Sequence, residues 1–281
     1  MKLKLSSLIK ILLTLAVGSL AGLLILILIA GPDCLILNLR TPASLLTYDV
    51  NIERKIVLTN IDTIEIDFTS QDVNIVPVTG NEMTLLYAGS ISSSWEISEP
   101  FILLNSNNRK MDIELPRVNF SGTGSIHEDL VLNLGIPEKS LADLIVSTSS
   151  GNIHIQGNPA SRLIVDTTSG TAYVNGFSGY NLRVNTSSGD QTLENIRFNG
   201  SLEIQSSSGD ITAEVQKSGG TILAESSSGN IDIAIPENAD YTLHLAHTPT
   251  KEEEEEDMYD KPEHTKIHLF SYSGDASLNH F

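Results

Sequence analysis

The chain has one cysteine and one tryptophan in 281 residues, and aromatic residues make up only 5% of it. A lone Cys34 excludes an intrachain disulfide and a cysteine-based metal cage, so packing and hydrogen bonding must stabilise the fold. With 40% hydrophobic content and few rings, thin aliphatic layers suit the chain better than a compact aromatic core. Cations are scarce as well, 17 Lys and Arg against 35 Asp and Glu, for a formal charge of -18. Nucleic acid is therefore not an expected partner, because phosphate binding needs clustered cations. A direct electrostatic hold on anionic lipid is disfavoured for the same reason.

Charge is missing altogether between Ile11 and Ala30. Twenty apolar positions at about 1.5 Å rise cross roughly 30 Å, the thickness of a bilayer core. Such a run is a transmembrane helix or a signal peptide. Its length, and its ending in Leu28-Ile29-Ala30-Gly31-Pro32 without an Ala-x-Ala site, favour an uncleaved signal anchor. Lys2, Lys4 and Lys10 lie before the run, which leaves the amino terminus cytoplasmic and the bulk of the chain extracellular. Gly18 and Gly22 form a small-xxx-small pair, which is also ordinary composition for a membrane helix. Pro32-Asp33 ahead of Cys34 does not fit a lipoprotein site.

The expected layout is a cytoplasmic tip and anchor over 1–30, a juxtamembrane connector over 31–59 and an extracytoplasmic β domain over 60–281. Regular structure is expected from Ile64, where Ile64, Ile66 and Phe68 alternate with polar residues in the period of a half-buried strand. Alternation persists in patches to Pro137, including Met111 to Leu115 and Leu130 to Ile136. Trp95, in the polar stretch Ser92-Ser93-Ser94, reads as a plug over an apolar core, with a ligand platform as the alternative.

A repeat then takes over. Ser-Gly recurs at Gly151, Gly170, Gly189, Gly209 and Gly229, spaced 19, 19, 20 and 20 residues apart, and once more at Gly274. Seven residues before each of the first five stand Leu144, Leu163, Leu182, Leu202 and Ile222; five before stand Val146, Val165, Val184, Ile204 and Ala224. Pairs such as Ile153 and Ile155, or Ile231 and Ile233, follow the glycine. Each unit is thus two short strands around a bend, for which glycine is expected to supply a positive φ. Asn152, Asp190, Asp210 and Asn230 come next, with side chains suited to bonding turn amides. Gln71 occupies the glycine position of an earlier, degenerate unit.

Hairpins and parallel coils both fit one unit. Identical positions recurring in every unit favour stacking like on like, with hydroxyls of Ser150, Ser169, Ser188, Ser208 and Ser228 bonding along the stack. The predicted fold is all-β, a parallel β-solenoid of roughly twenty-residue rungs behind an N-terminal transmembrane helix, rather than a sandwich of hairpins.

The units Ser147-Thr-Ser-Ser-Gly-Asn-Ile-His-Ile, Asn185-Thr-Ser-Ser-Gly-Asp and Glu225-Ser-Ser-Ser-Gly-Asn-Ile-Asp-Ile resemble the bacterial putative-adhesin family of β-strand repeat proteins, a domain of unknown function. Leu132 to Pro137 resembles that family's run into its repeats, and the likeness covers roughly residues 60 to 278. Membrane-anchored members are similar in layout to accessory proteins of Gram-positive envelope-stress operons. The resemblance supplies no catalytic residues to carry over.

After Pro236 the glycine spacing jumps to 45 residues, and the excess holds the acidic run Glu252 to Asp257. Like charges in a run cannot be buried together, so 247–265 is expected to be a loop inserted within a rung. A calcium site there would need converging oxygens, which consecutive glutamates do not provide. His244, His247, His264 and His268 flank it, but His244 and His247 are three apart and do not share a strand face, which argues against a metal site. The twenty-residue period argues against a nine-residue calcium-binding toxin repeat. Phe270, Tyr272 and Phe281 are expected to cover the end of the stack.

Glycan-cleaving solenoids need two acids, or an acid and a base, on one exposed face. The outward positions four before the glycine, Ser147, Asp166, Asn185, Gln205 and Glu225, put no two acids on neighbouring rungs, and no Ser-His-Asp or Cys-His order stands out. No catalytic, cofactor or metal residues are assigned, and the six glycines are a structural turn ladder. The expectation is a non-catalytic envelope binding or accessory module, in stress response or adhesion. A partner protein or cell-wall component would be its ligand. The alternatives are a polysaccharide-active solenoid enzyme and a purely structural stalk.

Overall fold

The computed structural model describes residues 45–94, 96–97, 102–107, 109–115, 125–246 and 264–281. The apolar run from Ile11 to Ala30, Cys34, Trp95, His247 and the acidic run lie outside the described residues. Among those described, no helix is long and apolar enough to cross a membrane. Residues Leu46–Phe281 make one compact unit.

Regular structure starts earlier than the alternation predicts. Strand β1 (Leu46–Val57) falls inside the segment read as a connector. It is an edge strand that buries only Val50; Tyr48, Val50, Ile52 and Ile56 alternate with polar residues and pack on the core, but the charged Glu53-Arg54-Lys55 interrupts the period. After it come β2 (Thr63–Asp67), β3 (Asp72–Val78), β4 (Glu82–Ser93), β5 (Leu103–Asn107), β6 (Lys110–Glu114) and β7 (Ile126–Pro137). Here the coil departs from an all-parallel stack. β4 is a long antiparallel strand between β1 and β7, and β5 is antiparallel to β6.

From there the coil is regular. The strands are β8 (Leu141–Thr148), β9 (Ile153–Gln156), β10 (Ala160–Thr167), β11 (Ala172–Asn175), β12 (Ser178–Asn185), β13 (Gln191–Ser206), β14 (Ile211–Ser218), β15 (Thr221–Ser226) and β16 (Ile231–Ile235). The first wall orders β5, β6, β2, β8, β10, β12, β13 and β15. The second orders β1, β4, β7, β3, β9, β11, β13, β14 and β16. Successive rungs pair parallel in register, Leu144 with Leu163 and Leu163 with Leu182. The expected columns are therefore real, and Leu144, Val146, Leu163, Val165, Leu182, Val184, Leu202, Ile204 and Ile222 are fully buried. Each such side chain contributes about 1.5–3 kcal/mol by leaving water.

The last three strands, β17 (Tyr241–Ala246), β18 (Thr265–Ser271) and β19 (Ala276–His280), change the order. β18 pairs parallel with β15 on one side and with β17 on the other. The chain thus passes over one position, lays β17 at the edge, and returns to insert β18 beneath it. The acidic stretch connects these two parallel strands and is not an insertion within a single rung. On the first wall β17, and not Phe270 and Tyr272, covers the edge; Tyr272 and Phe281 are exposed.

The glycine column stacks as predicted, but for another reason than the one expected. None of Gly151, Gly170, Gly189, Gly209, Gly229 and Gly274 has a positive φ. A Cβ on Gly170 would collide with the carbonyl oxygen of Gly151, one on Gly189 with that of Gly170, and so on up to Gly274 over Gly229. The corner carries glycine because backbones of adjacent rungs touch there. Positive φ falls instead at a second corner, at Gly157, Gly176 and Asn195.

The hydroxyl ladder is also displaced from the expected serines. Ser150, Ser169, Ser188, Ser208 and Ser228 are exposed. The buried hydroxyls stand three residues before the glycine: Thr148, Thr167, Ser206, Ser226 and Ser271 accept the Gly N–H of their own turn at 2.8–3.1 Å. The residue after the glycine links rungs. Asp210 N–H donates to Asp190 Oδ1 at 2.9 Å, Asn230 N–H to Asp210 Oδ1 at 2.7 Å and Asp275 N–H to Asn230 Oδ1 at 3.0 Å.

Candidate functional site

A repeat that stacks identical residues offers the same chemistry on every rung, so a site must arise where the stack departs from itself. The second corner leads into a short third side of the coil. There Phe177, Ile196 and Phe198 are buried and pack inward. Arg197 is in register with Ser178 on one side and with Lys217 on the other. Gly179, Ser178 and Ser161 are small, so the middle rungs recede between longer side chains.

The result is an open groove of about 500 Å³. Lys139 stands on one side of it, Arg197 and Lys217 on the other, with Tyr180, Asn158 and Asn199 also lining it. No carboxylate lines it. None of the three cations takes part in an ion pair with a described residue, although Arg109, Lys110, Arg162 and Arg183 all do. In a chain of charge -18, three cations without an ion pair among the described residues, gathered around one groove with no acid in its lining, give it a local positive potential. Lys139 holds a positive φ of 55°, uncommon for a residue with a side chain. Asn158 is 5% exposed; its Nδ2 donates to the Ser178 carbonyl at 2.6 Å, while its Oδ1 receives no donor. Tyr180 is 58% exposed.

A second, smaller hollow of about 230 Å³ lies along the first wall, lined by Asp67, Ser147, Asp166, Asn185 and threonines of the turn. Asp67 pairs with Ser147 and Ser147 with Asp166, so the two acids are two rungs apart. The outer face of the second wall carries a further polar row. His154 stacks on Tyr173 at 4.5 Å, Tyr173 donates its hydroxyl to Glu194 at 2.6 Å, and Asn175 donates to the same carboxylate at 3.2 Å. These groups satisfy one another.

The histidines do not gather. His244 stacks on His268 at 4.9 Å, whereas His264 lies 3.3 Å from Asp240 and bonds Thr242. Among the described residues no three metal-ligating side chains come together. The six glycines of the turn ladder line the first corner and none of them lines the groove. Sequence reasoning missed the groove because its residues carry no motif. The one available signal was the cluster of cations in an acidic chain, scattered over residues 139, 197 and 217.

Comparisons place the chain among known proteins. The Toastrack DUF4097 family profile matches residues 61–200 and 160–279. No curated protein matches by sequence. Solved structures that resemble it include a putative adhesin from Bacteroides fragilis, 13% identical, TM-score 0.42, covering 82% of this chain and 97% of that one. A putative lipid binding protein from Parabacteroides distasonis is 16% identical, with TM-score 0.41 and coverage of 81% and 96%. A putative cell adhesion protein from Clostridium sporogenes is 11% identical, with TM-score 0.34 and coverage of 83% and 100%.

Proposed function

The chain belongs to the Toastrack DUF4097 family, and from that premise we propose that it is a non-catalytic binding or accessory module, anchored in the cell membrane and facing the envelope. Its role is in the response to envelope stress or in adhesion. The observation that carries the binding reading is the groove, whose three cations form no ion pair among the described residues. Anchoring rests on the uncharged run from Ile11 to Ala30 behind three lysines. Crosslinking and pull-down from membranes, with and without a cell-wall antibiotic, tests the role: a partner whose recovery changes with the antibiotic supports it. Protease treatment of intact cells tests the orientation, and cleavage within Glu252–Asp257 only after lysis overturns it.

One observation favours a second reading. Asp67 and Asp166, two strand spacings or roughly 10 Å apart, share a hollow, near the outer limit for a pair of carboxylates that hydrolyse glycans with inversion. Asp166 Oδ1 accepts a hydrogen bond from the Asn185 amide, which ties it to the ladder of the wall. Glycan-degradation assays separate the two: turnover abolished by Asp166→Asn establishes the enzyme.

A further inference from the structure

We infer that the third-side groove binds a water-soluble polyol-phosphate polymer, its phosphates held by Lys139, Arg197 and Lys217 and its hydroxyls by the amides and hydroxyls between them. This rests on reading the groove as the binding surface. Three features set the ligand class. First, a groove lined by three cations and no acid selects an anion, and an arginine beside a lysine on adjacent rungs offers a fork and a point charge to phosphate oxygens. Second, Asn158, Asn199, Ser161 and Ser178 line the groove between the cations and set side-chain amides and hydroxyls where a polyol's hydroxyl groups would lie. Third, of the large exposed hydrophobic side chains only Tyr180 belongs to the groove, and Leu141 and Phe198, which also line it, are held in the core, so no acyl-sized channel opens there. That disfavours a bilayer and favours a soluble chain. The groove is open, as a site that takes a polymer in mid-chain must be. Nucleic acid offers the same phosphates but asks for stacking surfaces on successive bases, and the groove has a single exposed ring.

The test uses the full-length chain in nanodiscs of zwitterionic lipid, titrated calorimetrically with a short poly(glycerol phosphate). Four comparison probes are inorganic phosphate, a neutral glucan, phosphatidylglycerol vesicles and a single-stranded oligonucleotide of equal charge. The double variant Arg197→Gln/Lys217→Gln removes two groove charges. Arg54→Gln/Lys55→Gln removes the same charge from β1, and thermal melting checks that each variant folds. The expected result is binding of poly(glycerol phosphate) that falls at least ten-fold in the groove variant and less than two-fold in the β1 variant, and that weakens as salt rises. Equal loss in both variants overturns the proposal, as does tighter binding of the vesicles or the oligonucleotide. Glucan binding that is lost in Tyr180→Ala, with no polymer binding, overturns the phosphate assignment and leaves the groove standing as a binding surface. No probe bound, or binding indifferent to every groove variant, overturns both.

Discussion

The carbonyl oxygen of Gly170 occupies the place that a side chain on Gly189 would need. That contact between rungs, repeated along the corner, is what the repeated glycine encodes. Gly189→Ala must push two backbones apart in the middle of the stack and is expected to cost about 3 kcal/mol. Gly274→Ala, whose Cβ would overlap the Gly229 carbonyl less deeply, should cost clearly less. Chemical denaturation of the two variants checks the order.

The second corner should behave in the opposite way. Gly176 has φ +84°, and a Cβ there meets nothing closer than ordinary contact. Asn195 already occupies the equivalent corner at φ 55°. Gly176→Asn is therefore expected to cost less than about 1 kcal/mol, whereas Gly176→Val, with a branched Cβ in the left-handed region, should cost more. Melting temperatures of the pair measure this.

Ser226 holds the Gly229 amide at 2.8 Å inside the coil. Removing the hydroxyl leaves a buried donor, so Ser226→Ala should lose about 1–3 kcal/mol. Ser226→Thr should be tolerated, because Thr167 and Thr148 serve the same position three and four rungs away. Urea unfolding distinguishes them.

Tyr87 is fully buried, and its hydroxyl has no hydrogen-bond partner among the described residues. Burial first, and Glu128 second, push its ionisation well above the ordinary phenol range. The ring itself packs on Phe68 at 5.8 Å. Tyr87→Phe keeps that packing and deletes the unsatisfied oxygen, so stability should stay level or rise by about 1 kcal/mol.

The edge strand should loosen in acid. Burial, then His244 and Lys266, hold the His268 imidazole below its ordinary value of about 6.5. A depressed histidine is neutral in the folded chain and charged in the unfolded one, so its stabilising contribution is complete above pH 6.5 and is lost as pH falls below it. Protection factors at Leu243 and Leu245, corrected for the intrinsic pH dependence of amide exchange, should fall between pH 7 and 5, and His268→Gln should flatten that dependence.

Much of the coil was legible because strand alternation is local and stacking repeats it. Leu144, Leu163 and Leu182 announce their column in the sequence, and the structure places them in register. What escaped depends on distant chain meeting in space. β1 hides because an edge strand buries little beyond Val50. The glycine contact involves rungs nineteen or twenty residues apart, so no local φ argument finds it. The insertion of β18 beneath β17 breaks the rule that sequential strands are neighbours in order. The groove collects residues from five rungs, and each of its three cations, alone, is an ordinary surface residue.

The most direct test of the groove is photocrosslinking in intact cells from a reactive residue placed at position 180, with the same residue at exposed Thr212 on the second wall as control. The account predicts that position 180 captures envelope polymer and position 212 does not. Equal capture at both positions, or capture at 212 alone, contradicts it.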